Sequence, residues 1–350
     1  MLRCGGPARR GAMGSRRLAR IALDATDAAW REDLRQRCES KEITTCRQLF
    51  ELGPFALRHE LDLLPAEAER LLDAVSDDVA PQPTTALEIK QRVEVNSLPT
   101  GLALIDRKLL GGIPARSVTE VVGAPGVGKT QFSMMLAVLA LRQAASRAAA
   151  DESYGVVYLD TEAGFRQERM MQMAGSLFPA VLAGAAQSLG SRLHYLSLST
   201  TRALMEALEQ LEGLIIEHGI RLVVLDSAAA LVRKEYGRDA LAERQRLLGQ
   251  QASLLKRLAE NFGIPVVVTN QMTTHRSELP ATGEEPTEQL AAALGNTWAH
   301  AVNTRLELRR DADGHRELSI TKSPVSSTLT IPVDLSTQGL VAVAASEEGA

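Results

Sequence analysis

The stretch VTEVVGAPGVGKTQFSMMLAVLALR, residues 118–142, decides the fold of this chain. It opens with a short apolar run, Val118–Val122, and continues through the octapeptide Gly123–Thr130, GAPGVGKT. An apolar segment, Gln131–Arg142, follows directly. A glycine-rich loop between a buried strand and a long apolar helix is typical of an α/β domain. The stretch therefore predicts a strand, a tight loop and a helix, in that order.

The octapeptide matches the pattern G-x-x-x-x-G-K-[ST] of a phosphate-binding loop. Glycines let such a loop curl until successive backbone N–H groups face phosphate oxygens, and the N-terminus of the following helix also attracts anions. The lysine can reach the β- and γ-phosphates of ATP, and the threonine hydroxyl can ligate Mg²⁺. The residues predicted to bind ATP are Gly123, Ala124, Pro125, Gly126, Val127, Gly128, Lys129 and Thr130.

The composition restricts the remaining possibilities. The chain has 350 residues, of which 45% are hydrophobic and 3% aromatic, so Leu, Val, Ile and Ala must fill its core. A net charge of −4 means that any contact with nucleic acid depends on local basic patches. The cysteines, Cys4, Cys38 and Cys46, lack metal-ligand spacing, which favours a reducing compartment. The longest apolar stretch, Phe132–Leu141, is roughly half of a membrane span, and no secretory signal is predicted.

After residue 100, apolar runs alternate with helical segments. Such runs suit strands buried on both faces of a mainly parallel sheet. A hairpin signal at residues 311–314 predicts an antiparallel end to that sheet. The further predicted strands are Tyr154–Asp160, Leu193–Leu198, Arg221–Asp226 and Ile264–Thr269, and the predicted helices between them include Thr201–His218 and Asp239–Phe262.

Acidic residues end two of these strands. Asp226 follows the apolar run Leu222–Leu225, the Walker B form, and is predicted to hold the magnesium shell together with Thr130. Glu162 follows the other strand, where it either orients the attacking water or caps the helix expected from Phe165. Gln271 closes the strand Ile264–Thr269, and its amide either contacts the γ-phosphate or is an ordinary polar strand end. The residues alone favour the second reading for Gln271.

The chain divides, by composition, into several segments. Short helices with apolar residues at helical spacing are predicted before the stretch Ala80–Thr85, whose two prolines mark a linker. The predicted organisation is a disordered extension 1–12, an N-terminal helical domain 13–79, a linker 80–100, an ATPase core 101–340 and a tail 341–350.

Several motifs in fixed order resemble the RecA/RadA recombinases, and within that family the eukaryotic branch and its B paralogues. The resemblance covers roughly residues 14–335. It implies a RecA-like P-loop ATPase core with a small helix-hairpin-helix-like N-terminal domain. The motifs are the loop 123–130 with Gln131-Phe132, YLDTEAGFRQER (158–169), LVVLDSAAALVRKEY (222–236), IPVVVTNQ (264–271) and ALGNTWAHAVNTRLEL (293–308).

The resemblance also implies roles for individual residues. Glu162 would be the catalytic carboxylate, Asp226 the Walker B acid and Gln271 the sensor of the γ-phosphate. Lys129 would be the fourth catalytic residue and would stabilise charge on the phosphates. Arg169 matches the arginine that packs beside the adenine. The implied activity is a DNA-dependent, Mg²⁺-dependent ATPase whose phosphoryl acceptor is water.

The resemblance implies a role in homologous recombination at broken DNA in the nucleus. The implied partners are sister paralogues, especially the C paralogue, with the D and X-type paralogues in a larger complex, together with the recombinase filament. Single-stranded and branched DNA are the implied nucleic acids, and no membrane association is implied. A mediator of this kind promotes filament assembly on single-stranded DNA.

Some residues depart from the pattern of the filament-forming members. Pro83 stands where those members place a phenylalanine that plugs a neighbouring subunit, and proline lacks its large buried area. Lys322 stands where they have aspartate, and it either approaches a neighbour's phosphates or is a solvated strand end. Efficient self-polymerisation is therefore not expected.

Two segments correspond to the DNA-binding loops of the family. The first, residues 232–246, is basic and suits phosphate contacts, with Arg233, Lys234, Arg238, Arg244 and Arg246. The second, residues 272–294, has no aromatic residue and more glutamates than arginines, so it is a poor grip for single strands. A mediator is favoured over two alternatives, a self-sufficient strand-exchange recombinase and a nucleotide-binding scaffold with little turnover. A P-loop kinase is disfavoured.

Overall fold

A computed structural model describes residues 28–80, 83, 85–88, 97–147, 154–179, 190–237, 240–275, 289–292 and 295–343. The chain forms two compact units, residues 1–89 with 261–263 and the remainder. The predicted extension 1–12 and most of the predicted linker and tail lie outside the described residues. The predicted domain boundaries therefore stay predictions.

The first unit contains a small helical region. Thr45 is the N-cap of the second helix and forms a capping box with Gln48. The Thr45 side chain accepts a hydrogen bond from the Gln48 backbone N–H, and the Gln48 side chain accepts one from the Thr45 backbone N–H. Gly53, with φ of 71°, kinks that helix just before Pro54. Pro65 occupies the first turn of the third helix, as the sequence predicts. The helices are α1 Ala28–Ser40, α2 Cys46–Leu61 and α3 Pro65–Val79, and their buried residues include Leu49, Leu57, Leu61, Leu71 and Val75.

The second unit is built on one twisted sheet. Its strands lie in the order β10-β9-β8-β7-β1-β5-β4-β2-β3, and β6 pairs with β5 away from this path. The pairs from β3 to β7 are parallel, and those from β7 to β10 are antiparallel. The predicted mainly parallel sheet with an antiparallel end is confirmed. The strands are β1 Val118–Gly123, β2 Gly155–Asp160, β3 Leu193–Ser197, β4 Ile220–Asp226, β5 Val266–His275, β6 Gln289–Ala292, β7 Thr304–Arg310, β8 Arg316–Lys322, β9 Leu329–Ser336 and β10 Gly339–Ala342.

Helices connect these strands, and the helix after the glycine loop supplies much of the core. Buried residues of that helix, among them Phe132 and Leu136, pack in one cluster with Val121, Tyr158 and Val224 of the sheet. The helices are α4 Ala103–Lys108, α5 Lys129–Arg147, α6 Gln167–Leu177, α7 Thr201–His218, α8 Ala230–Glu235, α9 Leu241–Phe262 and α10 Gly295–Ala301.

The helix α7 has the predicted bounds because both of its ends are specified locally. The Thr200 side chain accepts a hydrogen bond from the backbone of Ala203, which satisfies a free N–H group of the first turn. Gly219 ends the helix in the left-handed conformation, with φ of 61°. The apolar residues Leu204, Leu208 and Leu211 form its buried face.

The register of the parallel strands aligns their carboxyl ends. Asp160, the last residue of β2, pairs with Asp226, the last of β4. Gly123, the last residue of β1, pairs with Gln271 of β5. The predicted end of β5 at Thr269 was wrong, because the strand continues to His275 and pairs with β6. One edge of the sheet therefore brings together the predicted phosphate-binding loop, the carboxylates of Asp160 and Asp226, and the amide of Gln271.

Candidate functional site

The glycine loop requires backbone freedom at several positions. Gly126 and Gly128 have φ of 75° and 119°, values that side-chain-bearing residues rarely adopt. A Cβ added to Gly123 would lie 2.4 Å from the carbonyl oxygen of Leu308, so no larger residue fits there without movement. The loop leads into α5, which begins at Lys129. Nζ of Lys129 donates to the carbonyl oxygens of Gly123 and Ala124 at 2.9 Å each.

The ammonium of Lys129 is partly removed from water. Burial lowers its pKa, nearby Glu162 and Asp226 oppose that change, and Arg233 adds to it. A lowered lysine pKa means that the surroundings do not fully balance the positive charge. Backbone carbonyls stabilise the ammonium only as dipoles, so this site fits an anionic group such as a polyphosphate.

Asp226 is buried beside the loop and receives several hydrogen bonds. The Tyr158 hydroxyl donates to its Oδ2 at 2.8 Å, and the Thr269 hydroxyl donates to its Oδ1. Burial raises the pKa of Asp226, and hydrogen bonds from Thr269, Thr130 and Tyr158 oppose that rise. The pKa of Tyr158 is raised well above its ordinary value by burial and by Asp226, so its hydroxyl remains a donor.

The pair Thr130 and Asp226 fits a magnesium ion by its chemistry. A hydroxyl and a carboxylate are hard oxygen ligands, which Mg²⁺ prefers, and it commonly takes only one or two such protein ligands beside phosphates. The Thr130 hydroxyl lies close enough to Asp226 to lower the pKa of its carboxyl group, which places the two groups side by side. These two residues are the ones that would hold the ion.

The two acids at the end of β2, Asp160 and Glu162, have different surroundings. Asp160 accepts hydrogen bonds from the backbone N–H groups of Glu162, Gly164 and Phe165, at 3.0, 3.3 and 3.0 Å. Its carboxylate therefore fixes the loop that follows the strand. Glu162 does not cap the next helix, because α6 begins at Gln167 with Arg166 as its N-cap. The helix-cap reading of Glu162 was wrong.

The Glu162 carboxylate instead points toward the carboxyl ends of β4 and β5. The Ser227 hydroxyl donates to its Oε1, and Nε2 of Gln271 donates to the same oxygen at 3.3 Å. Thr161 stabilises this arrangement, since its hydroxyl exchanges hydrogen bonds with the backbone of Ser227 at 2.7 and 2.8 Å. Glu162 remains exposed and sits within electrostatic reach of Lys129 and Asp226.

Arg169 extends from α6 to the first turn of α5. Its Nε donates to the Gln131 side chain at 2.7 Å, next to the glycine loop. Its other nitrogens donate to Gln172 and to the carbonyl oxygens of Ser336 and Thr337, in the turn between β9 and β10. Arg169 is therefore held in place beside the loop by the chain's own groups.

The predicted DNA segments adopt more regular structure than loops. Residues 232–246 belong largely to α8 and α9, and Arg246 forms an ion pair with Glu243 on the surface of α9. Arg233 is turned inward, and its guanidinium donates to Gln271. Residues of the second segment form the ends of β5 and β6, and the part from 276 to 288 lies outside the described residues.

Lys322 is engaged within its own chain. Its Nζ donates to the carbonyl oxygens of Ala299 and Val302, at and just after the C-terminus of α10. A lysine at this position satisfies free carbonyl groups and complements the helix dipole. Burial lowers the pKa of Lys322, as does nearby Arg305. Lys322 is the exposed last residue of β8, as the strand-end reading predicts, and its ammonium is in addition held by two carbonyl groups. Its approach to a neighbour's phosphates stays a prediction.

Three residues that contact the site were not predicted as part of it. Tyr158 and Thr269 hydrogen-bond to Asp226, and Ser227 hydrogen-bonds to Glu162. A sequence signal existed for Tyr158 and Thr269, because each hydroxyl directly follows a buried apolar run of its strand. A buried hydroxyl needs a hydrogen-bond partner, but the identity of that partner depends on the neighbouring strand.

A glycine loop at the end of a parallel strand, followed by a long helix and flanked by acids on adjacent strands, defines a RecA-like P-loop fold. Comparison with known proteins gives the family. The Rad51 family model matches residues 91–343, and the chain belongs to the Rad51 family.

Several curated relatives share most of their length with this chain. DNA repair protein RAD51 homolog 2 of Mus musculus is 37% identical, over 94% of this chain and 98% of the mouse protein. The Homo sapiens protein of the same name is 36% identical, over 94% of this chain and 89% of its own. The Arabidopsis thaliana protein of that name is 32% identical, over 86% of this chain and 85% of its own. The predicted resemblance to the B paralogue is confirmed.

Within the described residues, no helix is both long and apolar enough to cross a lipid bilayer.

Proposed function

We propose that this chain binds ATP with Mg²⁺, hydrolyses it, and thereby promotes assembly of a recombinase filament on single-stranded DNA. One observation carries the ATPase part of this proposal. Lys129 and Thr130 at the start of α5, Asp226 at the end of β4 and Glu162 just after β2 converge at one edge of the parallel sheet. That set supplies a phosphate cradle, a metal ligand pair and a candidate base for water.

Each residue then has a defined task. Lys129 and the backbone N–H groups of residues 123–130 stabilise charge on the phosphates, and Glu162 orients and deprotonates the attacking water. Thr130 and Asp226 hold Mg²⁺, which, when bound, neutralises phosphate charge. Gln271 contacts the γ-phosphate. Because Thr269 and Tyr158 occupy both oxygens of Asp226, that carboxylate is oriented before any metal binds.

Arg169 is proposed to flank the adenine. Its guanidinium is held next to Gln131, the residue that follows the glycine loop. A planar cation of fixed orientation can stack on an aromatic base. The contacts with Ser336 and Thr337 provide that fixed orientation.

Calorimetry with Mg²⁺ and a non-hydrolysable ATP analogue tests the nucleotide site. Lys129→Ala is expected to weaken binding by about tenfold or more, because a charge-assisted contact with phosphate is lost. Lys108→Ala, which removes an exposed lysine of α4, is the matched control and should bind like the wild type. Equal affinity for all three proteins would reject the site.

The mediator role rests on family membership and on two departures. Family members named DNA repair proteins cover nearly all of this chain. Pro83 cannot act as an aromatic plug, and residues 272–294 carry Glu278, Glu284, Glu285 and Glu288 against Arg276. A chain with these features is a poor filament former and is suited to work in the nucleus within a hetero-oligomer of C, D and X-type paralogues, on single-stranded or branched DNA.

Electron microscopy of single-stranded DNA tests this role. The chain alone is expected to form no long helical filaments at physiological salt. Added with a C-type paralogue, it is expected to increase the length of filaments formed by the recombinase. Long filaments of the chain alone, or strand exchange without partners, would favour a self-sufficient recombinase instead.

A further inference from the structure

The side chain of Gln271 is held from two sides. Its Nε2 donates to Oε1 of Glu162 at 3.3 Å, and its Oε1 accepts from a terminal nitrogen of Arg233 at 3.1 Å. The second terminal nitrogen of Arg233 donates to the backbone carbonyl oxygen of Gln271 at 3.3 Å. The guanidinium of Arg233 therefore hydrogen-bonds to both the side chain and the backbone of Gln271.

These hydrogen bonds determine the orientation of the Gln271 side-chain amide. Arginine has only donors, so the group that meets it must be the amide oxygen. The amide NH₂ then faces the opposite direction, toward Glu162 and the glycine loop. Without Arg233, the amide could rotate by a half-turn and present its oxygen to an anion, which would be repulsive.

The location and burial of Arg233 also suit a residue that orients Gln271. Arg233 lies on α8, the helix that follows β4 and the Walker B acid, whereas Gln271 lies on β5. The guanidinium is partly buried, and burial together with the neighbouring Arg244 lowers its pKa. A cation kept in such surroundings costs free energy, which the two hydrogen bonds to Gln271 offset.

We propose that Arg233 is a positioning residue that fixes the orientation of the Gln271 amide, so that its NH₂ group distinguishes ATP from ADP. The inference rests on the proposed nucleotide site. It assigns to Arg233, within the segment 232–246, a task other than contact with DNA, because its guanidinium hydrogen-bonds to Gln271 of β5.

The test compares two affinities without turnover. Calorimetry with Mg²⁺ gives the dissociation constants for ADP and for a non-hydrolysable ATP analogue, and their ratio measures discrimination. Gln271→Ala is expected to reduce this ratio by about tenfold, because it removes an amide donor to a charged phosphate. Arg233→Ala is expected to reduce it to a similar extent, because the amide donor loses its fixed orientation. In the double variant, Arg233→Ala should produce no further change, because it acts through Gln271.

Two variants sharpen the interpretation. Arg233→Lys keeps the charge but loses the forked pair of donors, so it should also lose most of the discrimination. It serves as the main test if Arg233→Ala fails to fold. Arg257→Ala, which removes an exposed arginine of α9, is the matched control and should discriminate like the wild type.

The outcomes separate this inference from the proposed function. A wild-type chain that binds neither nucleotide would overturn both. A wild-type chain that discriminates, with unchanged discrimination in Arg233→Ala, would overturn only the role of Arg233. Full rescue by Arg233→Lys, or effects of Arg233→Ala and Gln271→Ala that add in the double variant, would also overturn it.

Discussion

At the scale of single residues, the site depends on how two nearby carboxylates are used. Asp160 is the last residue of β2, and Glu162 follows two positions later. The first is occupied by three backbone N–H groups and by the Tyr195 hydroxyl, at 3.1 Å, and so cannot also act as a base. The second shares its Oε1 between Ser227 and Gln271 and keeps its exposure. Of these two acids, Glu162 is therefore the one that we propose for catalysis.

Glu162→Gln is expected to bind ATP normally but to hydrolyse it slowly. The amide keeps the shape and the acceptor oxygen, yet it cannot take a proton from water, so the rate should fall by about 10²- to 10⁴-fold. Phosphate release in a single turnover gives the rate, and calorimetry gives the affinity. Glu168→Gln, at an exposed position in the first turn of α6, is the control. Equal rates for Glu162→Gln and the wild type would remove Glu162 from the mechanism.

At the scale of elements, a buried acid ties together four of them beside the site. Glu120 of β1 is fully buried and accepts from Asn270 of β5 and Trp298 of α10, both at 2.8 Å, and from Arg305 of β7 at 2.7 Å. Asn270 directly precedes the proposed sensor Gln271. Oδ1 of Asn270 and one terminal nitrogen of Arg305 have no partner, but all three donors share Glu120, so the network should be sensitive to the loss of Glu120.

Glu120→Ala is expected to lower the free energy of unfolding by about 3–5 kcal/mol, because it leaves Arg305 partly buried without a counter-charge. Urea unfolding followed by circular dichroism measures the change. Adding Arg305→Met should restore part of the loss, since it removes the unpaired charge. Glu317→Ala, at an exposed position of β8, is the control. A loss as small as that of the control would show that the network contributes little.

A pair of histidines links β3 to the end of α7. The rings of His194 and His218 lie 4.3 Å apart between centroids. Burial lowers the pKa of His194, His218 lowers it further, and Glu217 acts in the opposite direction. The folded protein therefore binds a proton at His194 less readily than the unfolded chain does. The stability that His194 contributes is complete above its ordinary pKa and is lost as the pH falls below it.

The free energy of unfolding is therefore expected to decrease between about pH 7.5 and about pH 5.5, the range in which an ordinary histidine gains its proton. His194→Gln should make this decrease smaller, because glutamine does not titrate. Urea unfolding at both pH values measures it. His300→Gln, at an exposed position of α10, is the control. An identical decrease in His194→Gln and the wild type would exclude His194 as a source.

At the scale of the whole molecule, the proposed nucleotide site belongs to one compact unit. Lys129, Thr130, Glu162, Asp226 and Gln271 all lie in the second unit, and so does the segment that matches the family model, except for residues 261–263. The helical region has its own buried cluster around Leu49, Leu57 and Leu61. Nucleotide binding should therefore depend on the second unit alone.

A chain of residues 91–350 is expected to bind the non-hydrolysable ATP analogue with the affinity of the full chain. Calorimetry measures the affinity, and circular dichroism checks that the shortened chain is folded. Lys129→Ala in the shortened chain is the control, and it should weaken binding as it does in the full chain. A folded shortened chain without measurable binding would assign part of the site to the helical region.

Much of the fold could be predicted because its signals are local. The strand, glycine loop and helix at residues 118–142 follow from apolar periodicity and from the conformations that Gly126 and Gly128 permit. The bounds of α7 follow from Thr200 and Gly219, which act within one helical turn. The end of β5 could not be predicted, because it depends on pairing with β6.

The sequence by itself determined the order of strands and helices, the glycine loop and the acids that end β2 and β4, since each depends on neighbours in the chain. Only the tertiary structure decided that Asp160 fixes a loop while Glu162 stays accessible, and that Arg233 faces Gln271. These outcomes depend on hydrogen bonds between residues far apart in the chain. Such partners are set by the register of parallel strands and by which helix lies over them, and no local pattern encodes either.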